Sequence, residues 1–372
     1  MRRFVLLVSI LTIFISGCGQ AIVAEVKPPS TIPTLMDTPT PPVLPATLSP
    51  SPTPNPPTLT PTLTLTPTPT PDPMSILALQ AGVYPGSDIV IVNELVAGSN
   101  YHRYYAYYLS EGLKIYALLT VPDGKMPDGG WPAIVFNHGY IPPKEYRTTE
   151  RYIAYVDWLA RAGYIVFRID YRGNDKSEGV ATGAYGSPGY TVDVLNAVAS
   201  LKRYPQANPQ KIGMWGHSMG GFLTLRAMVI SRDIKVGVIW AGVVGSYPDM
   251  LYNWKHGSPT PTPLPTEPKT PFGRGWRSGW LQQYGTPEQN PQFWGSISAN
   301  SYLADLSGPL QLHHDLSDSE VPVQFSQTLA KEIQAAGGTA ELYTYPGDDH
   351  NLANSFGQAM QRTIAFFDSY LK

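Results

Sequence analysis

The sequence predicts an α/β fold in which helices cover both faces of a mostly parallel, twisted sheet. From residue 131 to the C-terminus, short apolar runs typical of buried strands alternate with segments of helical periodicity. One strand-to-helix junction carries Gly216-His217-Ser218-Met219-Gly220, in which a serine stands between two glycines. The alternation predicts the fold class, and the junction points to one edge of the sheet as the functional one.

The predicted elements follow one another in a regular order, with three antiparallel edge strands before the parallel part. The predicted strands are residues 89–95, 104–109, 114–121, 133–136, 164–169, 211–215, 236–241, 310–313 and 340–345. The predicted helices are residues 150–162, 190–202, 220–230, 322–336 and 352–370. Residues 242–305 are aromatic and lack a clear period, so we expect an irregular cap with a few short helices before the strand at 310–313.

Composition separates a low-complexity N-terminal part from one globular domain. Residues 19–73 are dominated by Pro, Thr, Ser and Leu, which predicts an extended, disordered linker. Residues 74–372 suffice for one large α/β domain that needs no disulfide, with a Pro- and Thr-rich loop inserted at 258–271. The net charge of −2 and the lack of a basic stripe argue against nucleic acid as a partner.

The N-terminus has the features of a secretion signal that ends in a cysteine. A basic pair at residues 2–3 precedes an apolar run at 4–15, which has the length of a signal-peptide core rather than of a membrane span. Cys18 follows at the end of this run and is the single cysteine of the chain. The arrangement resembles the lipobox of bacterial lipoproteins, which implies that residues 1–18 hold the signal, that Cys18 is lipidated and that a membrane holds the protein on its outer side. A plain signal peptide or an uncleaved anchor with an incidental cysteine is the alternative.

The glycine-flanked serine predicts the nucleophile of a hydrolase. A G-x-S-x-G sequence between a strand and a helix lets the chain turn sharply, and side chains at Gly216 and Gly220 would collide in that turn. Ser218 is then held in a strained conformation at a helix N-terminus, where the backbone N–H of Met219 can stabilise developing negative charge. We interpret His217 as a structural neighbour of this site.

A serine hydroxyl needs a base and an acid, and the chain supplies both after the nucleophile. His350 lies in a glycine-containing loop after the last predicted strand and is the predicted base. Asp318 follows the preceding strand and is the predicted acid, with Asp315 as the alternative because it lies nearer the strand end. Asp348 and Asp349 are too close to His350 in sequence to reach its ring, and we interpret them as solvated loop charges.

A second oxyanion donor is expected after the strand at residues 133–136. Tyr140 lies there and has a backbone N–H and a phenol to offer, with a plain wall residue as the alternative. The adjacent histidines at 313–314 do not predict a metal site, since neighbouring residues on a strand point to opposite faces. His138 is interpreted as a structural neighbour, and no metal or cofactor is expected.

Residues 131–372 resemble the catalytic domain of the prolyl oligopeptidase (S9) family of serine peptidases, which has the α/β-hydrolase fold. Residues 170–179 are similar to the family's D-x-R-G-x-x-x-S-x-G stretch, and residues 314–322 to its H-G-x-x-D-x-x-V-P stretch. The second similarity places the acid on Asp318, although Asp315 stands where the family has glycine. The resemblance implies cleavage of peptide or aminoacyl bonds through an acyl-enzyme.

The same resemblance bears on the oxyanion hole and on substrate access. Gly139-Tyr140 is similar to the stretch whose tyrosine hydroxyl serves the oxyanion hole of prolyl oligopeptidases. Large peptidases of the family carry a β-propeller, whereas residues 74–131 leave room for a few strands only. The cap would then shape the pocket, either as a lid over an apolar site or by packing on its own core. Its aromatic residues are Trp254, Trp276, Trp280, Tyr284, Phe293 and Trp294.

Two other functions compete with a peptidase. A carboxylesterase acting on acyl or aromatic esters would use the same three residues. A surface binding module that has lost catalysis is the alternative of another class, and the intact set of Ser218, Asp318 and His350 argues against it. The oligomeric state is left open by the sequence.

Overall fold

The computed structural model describes residues 71–254 and 275–372. The predicted signal, Cys18, nearly all of the predicted linker and the predicted loop at 258–271 therefore lie outside the described residues. All described residues belong to one unit, Pro67–Lys372. Within the two described ranges, none of the helices combines the length and the apolar character needed to cross a membrane.

The described strands form one nine-stranded sheet in the order β1-β2-β3-β5-β4-β6-β7-β8-β9. Their bounds are β1 Val90–Leu95, β2 Tyr101–Ser110, β3 Leu113–Pro122, β4 Trp131–Asn137, β5 Ile165–Ile169, β6 Ala207–His217, β7 Val236–Trp240, β8 Leu310–Asp315 and β9 Ala340–Tyr345. Strands β1, β2, β3 and β5 pair antiparallel in that order, and the pairs from β5 through β4 to β9 are parallel. The predicted α/β class with an antiparallel edge is confirmed.

Helices lie on both faces of this sheet. Their bounds are α1 Ile76–Gln80, α2 Ile153–Arg161, α3 Gly189–Arg203, α4 Met219–Ile230, α5 Tyr247–Tyr252, α6 Gly275–Tyr284, α7 Pro291–Ile297, α8 Val323–Ala335 and α9 Phe356–Leu371, with a 3-10 segment at Ala299–Asp305. Two apolar cores result, one containing α3, α4 and α8 and the other α2 and α9. Val135 belongs to the first core and Phe136 to the second, because side chains alternate along a strand.

One short helix was not predicted, and two helices begin later than predicted for local reasons. Helix α1 is not among the predicted elements, because five residues are too few to show a helical period. Helix α2 begins at Ile153 instead of residue 150, since Tyr152 adopts a left-handed φ of 59°. Helix α9 begins at Phe356 instead of residue 352, and Leu352 before it has a φ of 54°.

Asp348 binds the backbone directly before α9. Its carboxylate accepts hydrogen bonds from the backbone N–H of Asn354 at 3.0 Å and of Ser355 at 2.7 Å. These bonds outweigh partial burial and lower the pKa of the Asp348 carboxyl. The interpretation of Asp348 as a solvated charge is therefore wrong. Asp349 is exposed, and it accepts from the backbone N–H of Asn351 at 2.9 Å.

Candidate active site

Ser218 stands on the sharp turn between β6 and α4, with φ 54° and ψ −116°. A residue other than glycine keeps such a conformation only where its surroundings hold it. Here the Ser218 N–H donates to the carbonyl of Trp240 at the end of β7, at 3.0 Å. A side chain at Gly216 would overlap the carbonyl of Gly220, and one at Gly220 would overlap the carbonyl of Asn137 at the end of β4. Both glycines are therefore required by close packing, the second against a neighbouring strand.

The loops after β8 and β9 bring Asp318 and His350 together. The Nδ1–H of His350 donates to Oδ2 of Asp318 at 2.7 Å, with the Asp318 side chain fully buried and that of His350 16% exposed. The backbone N–H groups of Glu320 and Val321 donate to Oδ1 at 2.8 and 3.1 Å. In the neutral imidazole, a proton on Nδ1 leaves Nε2 of His350 unprotonated, which is the form that a general base needs.

His314 is a further partner of the acid, which the sequence pattern did not single out for this role. Its Nε2–H lies 3.2 Å from Oδ2 of Asp318 and 2.9 Å from the carbonyl of Val321, while the hydroxyl of Ser326 donates to its Nδ1 at 2.8 Å. Burial by itself would raise the pKa of the Asp318 carboxyl, but the hydrogen bonds from His314 and His350 outweigh it. They hold that pKa well below its usual range, so Asp318 is an anion at neutral pH.

The alternative acid, Asp315, is engaged elsewhere. Its Oδ2 accepts from the N–H of Ser317 at 2.7 Å, and its Oδ1 accepts from the N–H of Asp348 at 2.9 Å. Asp315 thus ties the loop after β8 to the loop after β9. The structure pairs His350 with Asp318 and leaves Asp315 to join the two loops that carry them.

The segment after β4, which carries the predicted oxyanion donor Tyr140, lies against the nucleophile Ser218. A Cβ added to Gly139 would meet that of Ser218 at 3.3 Å, which places the chain after β4 beside the serine. Tyr140 follows and is 50% exposed. Met219 is the first residue of α4, where backbone N–H groups have no partner within a helix. The oxyanion roles of Met219 and Tyr140 stay predictions, as do the catalytic roles of the three residues above.

The stretch at residues 170–179 holds the loop after β5 against α3. The guanidinium of Arg172 donates to the buried Asp193 at 2.7 Å and also reaches Glu111 at 2.9 Å. The amide of Asn174 donates to the hydroxyl of Tyr190 at 2.9 Å. These contacts are structural, because none of them involves the serine, its histidine or its acid.

Asp170 lies in a buried polar cluster behind this loop. The hydroxyl of Tyr146 donates to its Oδ1 at 2.8 Å. The hydroxyl of Thr148 lies 2.6 Å from Oδ2 of Asp170 and 2.9 Å from Oδ2 of Asp175. A hydroxyl has a single proton, so Thr148 can donate it fully to only one of the two carboxyls. Burial raises the pKa of Asp170 to about 8, which favours its protonated form at neutral pH.

The histidines outside the triad have separate structural partners. His138 is buried, stacks on Tyr146 with ring centroids 4.3 Å apart and has its pKa lowered by burial to about 3. His313 lies between Tyr345 and Gln311, at 2.7 Å from each, on the face opposite to His314. Among residues 71–254 and 275–372 there is no cluster of His, Cys, Asp and Glu suited to a metal ion.

The aromatic residues of the cap pack mainly on one another and on the core. Trp294 is fully buried, and Trp280 stacks on Tyr247 with centroids 5.6 Å apart. Trp254 is 8% exposed, and its indole N–H donates to the carbonyl of Glu320 in the acid loop at 2.7 Å. These contacts fit the expected packing of the cap on its own core, and Trp254 also braces the loop that carries the acid. The role of a lid stays a prediction. The described part of the region contains the short helices α5, α6 and α7, as predicted.

A cavity of about 310 Å³ lies between the cap and α8. It is lined by Gly245, Asp249, Asn253, Asn300, Pro322, Gln324, Phe325 and Thr328. None of the three predicted catalytic residues lines it, so this cavity does not mark the candidate site.

Two family profiles match consecutive parts of the chain. The profile of X-Pro dipeptidyl-peptidase (S15 family) matches residues 111–268, and that of the prolyl oligopeptidase family matches residues 266–372. The uncharacterized peptidase YuxL of Bacillus subtilis is 25% identical over 285 residues, which are 71% of this chain and 38% of YuxL. The chain thus spans well under half the length of this curated relative.

Solved structures of both peptidases and esterases share the fold. The acylaminoacyl peptidase of Pyrococcus horikoshii aligns with a TM-score of 0.59 at 22% identity, over 74% of this chain and 42% of that one. Est1E of Butyrivibrio proteoclasticus, solved with ferulic acid, aligns with a TM-score of 0.53 at 21% identity, over 71% of this chain and 98% of that one. These alignments show that the chain shares the α/β-hydrolase fold of these peptidases and esterases.

Proposed function

We propose that the chain hydrolyses peptide or aminoacyl bonds through an acyl-enzyme formed on Ser218. The observation that carries the proposal is the His350–Asp318 pair, held at 2.7 Å, whose histidine carbonyl lies 2.9 Å from Nε2 of His217, the residue before the strained Ser218. The matches to two peptidase families support an amide bond as the substrate.

The chemistry follows from the protonation states. Ser218 Oγ attacks the acyl carbon while Nε2 of His350 takes its proton, and the anionic Asp318 stabilises the imidazolium that results. The N–H of Met219 and a donor from Tyr140 stabilise the oxyanion. The imidazolium then gives its proton to the leaving amine. Water, activated by the same histidine, attacks the acyl-enzyme and releases the carboxylic acid and the free serine.

A carboxylesterase is the second candidate, and the alignment with Est1E favours it. Est1E, solved with ferulic acid, aligns with this chain over 98% of its own length. An ester needs less help than an amide, because its leaving alcohol departs without full protonation. The same three residues therefore suffice for either reaction.

A rate comparison on the full chain separates the candidates. We would measure kcat/KM for aminoacyl and peptidyl p-nitroanilides and for p-nitrophenyl esters of several chain lengths, with Ser218→Ala as the control. Turnover of anilides that disappears in Ser218→Ala supports the peptidase, and turnover of esters alone makes the protein an esterase. Equal rates for both proteins refute the Ser218 mechanism and return attention to a binding module.

We also propose that the mature protein is a membrane-anchored lipoprotein of the extracytoplasmic side, with the lipid on Cys18. The support is the sequence of residues 1–18, and the Pro- and Thr-rich segment after it would place the domain on the order of 100 Å from the membrane if extended. Substitution Cys18→Ala should move the protein from the membrane fraction to the soluble one and abolish incorporation of a labelled fatty acid. Retention of both properties would exclude this anchor.

A further inference from the structure

Tyr152 has a strained backbone close to the candidate active site. It precedes α2 with φ 59° and ψ 26°, a left-handed conformation that is unfavourable for a bulky side chain. Its ring packs edge-on against Phe136 and Trp215, with centroids 5.5 and 6.3 Å away. The packing aims the Tyr152 hydroxyl towards the end of β4 and the serine turn.

That hydroxyl joins two segments of the site. The N–H of Gly139, beside the predicted oxyanion donor Tyr140, donates to the Tyr152 oxygen at 2.9 Å. The Tyr152 hydroxyl lies 2.8 Å from Nδ1 of His217, the residue before the nucleophile. Burial raises the pKa of Tyr152 to about 12, so the hydroxyl keeps its proton and can donate it.

His217 carries the chain of hydrogen bonds on to the base. Its Nε2 lies 2.9 Å from the carbonyl oxygen of His350, and the two rings are 4.7 Å apart. A carbonyl only accepts, so Nε2 of His217 holds the proton and Nδ1 accepts from Tyr152. Burial lowers the pKa of His217 to about 3, which keeps the ring neutral in this tautomer.

The resulting chain of donors has one direction, from Gly139 N–H to Tyr152, from Tyr152 to His217, and from His217 to the backbone of His350. It connects residues 13, 65 and 133 positions apart in sequence. It ends on the main-chain carbonyl of His350, so the imidazole of His350 is free to bind Asp318. We infer that Tyr152 and His217 are positioning residues, which hold the oxyanion loop and the loop of the base in register with Ser218. The inference rests on the triad proposed above and adds two residues to it.

The substitution Tyr152→Phe tests this role because it removes one oxygen and keeps the ring. We expect kcat to fall about tenfold to hundredfold with KM nearly unchanged, since a displaced catalytic group slows the chemical step more than binding. Tyr101→Phe is the matched control. It removes a hydroxyl that donates to Asp157 of α2 at 2.9 Å, without touching the loops of the site, and should leave both constants unchanged.

A double-mutant cycle with His217→Phe separates positioning from simple loss of structure. Phenylalanine keeps a ring in the place of the imidazole but has no acceptor for Tyr152, so both substitutions break the same link. The double variant should then be no slower than the slower single variant. The inference is overturned if the rate losses of the two single variants multiply in the double variant. It is also overturned if Tyr152→Phe is as fast as Tyr101→Phe, or if Tyr152→Phe fails to fold while Tyr101→Phe folds. If Ser218→Ala keeps wild-type activity, the proposed function fails instead.

Discussion

Replacing Asp318 by asparagine should remove almost all activity without unfolding the protein. Four N–H donors converge on this carboxylate, from His350 and His314 on Oδ2 and from the backbone of Glu320 and Val321 on Oδ1. An amide has one oxygen, so in Asp318→Asn one pair of donors faces an NH₂ group. If the amide oxygen stays with the two backbone N–H groups, the NH₂ group donates to Nδ1 of His350. The ring proton of His350 must then lie on Nε2.

A base protonated on Nε2 cannot take the proton of Ser218. Loss of the productive tautomer costs about 10,000-fold in kcat in a serine triad, or about 5 kcal/mol of transition-state stabilisation. The assay is kcat/KM on the better substrate of the rate comparison, with circular dichroism to confirm that the Asp318→Asn protein is folded.

Asp315→Asn is the matched control, because it removes the charge of the alternative acid in the same loop. Its partners are two backbone N–H groups, so the change should cost about 1–3 kcal/mol of unfolding free energy and leave kcat within about tenfold of the wild type. If Asp315→Asn loses as much activity as Asp318→Asn, or if Asp318→Asn keeps a tenth of the wild-type rate, the assignment of the acid is refuted.

Three further outcomes follow from the contacts of single side chains. Because the pKa of Asp170 is about 8 in the folded protein and near 3.8 as an ordinary value, the folded state holds an extra proton between these pH values. The free energy of unfolding should therefore fall as pH rises from 4 to 8, by up to about 1.4 kcal/mol per pH unit, and urea denaturation should show a flatter dependence in Asp170→Asn. In His314→Leu, Asp318 loses a donor and attracts the imidazolium of His350 more strongly, so the low-pH limb of kcat/KM should move to higher pH. His314→Gln keeps an N–H and should shift it less, and an unmoved limb in both would contradict the role given to His314. Gly220→Ala should lower the melting temperature or prevent soluble expression, because the methyl group overlaps the carbonyl of Asn137. The control Gly357→Ala should leave the melting temperature unchanged, since its methyl group meets nothing within 4 Å. Equal effects of the two substitutions would contradict the packing argument.

The fold class could be predicted from the sequence because its signals are local. The parallel strands are short apolar runs, and each turn between strand and helix carries its own residues. The helix starts were harder, since Tyr152 and Leu352 take left-handed conformations that no periodicity reveals. Asp348 accepts hydrogen bonds from the backbone six and seven residues later, directly before the last helix, which the sequence pattern could not distinguish from a solvated charge.

The residues of the candidate site also fall into those that the sequence could predict and those that it could not. Ser218 lies in a local motif, and Asp318 and His350 occupy positions that follow predicted strands, so they could be named in advance. The partners that orient them could not, because Tyr152 and Ser326 come from helix ends whose side-chain directions depend on tertiary packing. His314 was visible as the first residue of the stretch H-D-L-S-D, where the family has H-G-x-x-D, but only the structure shows its N–H on the acid.

Covalent labelling tests the central claim most directly. A fluorophosphonate reacts with a serine only when a base activates it, and the mass of the labelled peptide identifies the residue. We expect one phosphonyl group per chain, on Ser218, with slow labelling in Asp318→Asn and His350→Ala and none in Ser218→Ala. Labelling at another serine, or equal labelling of Ser218→Ala and the wild type, would contradict the account.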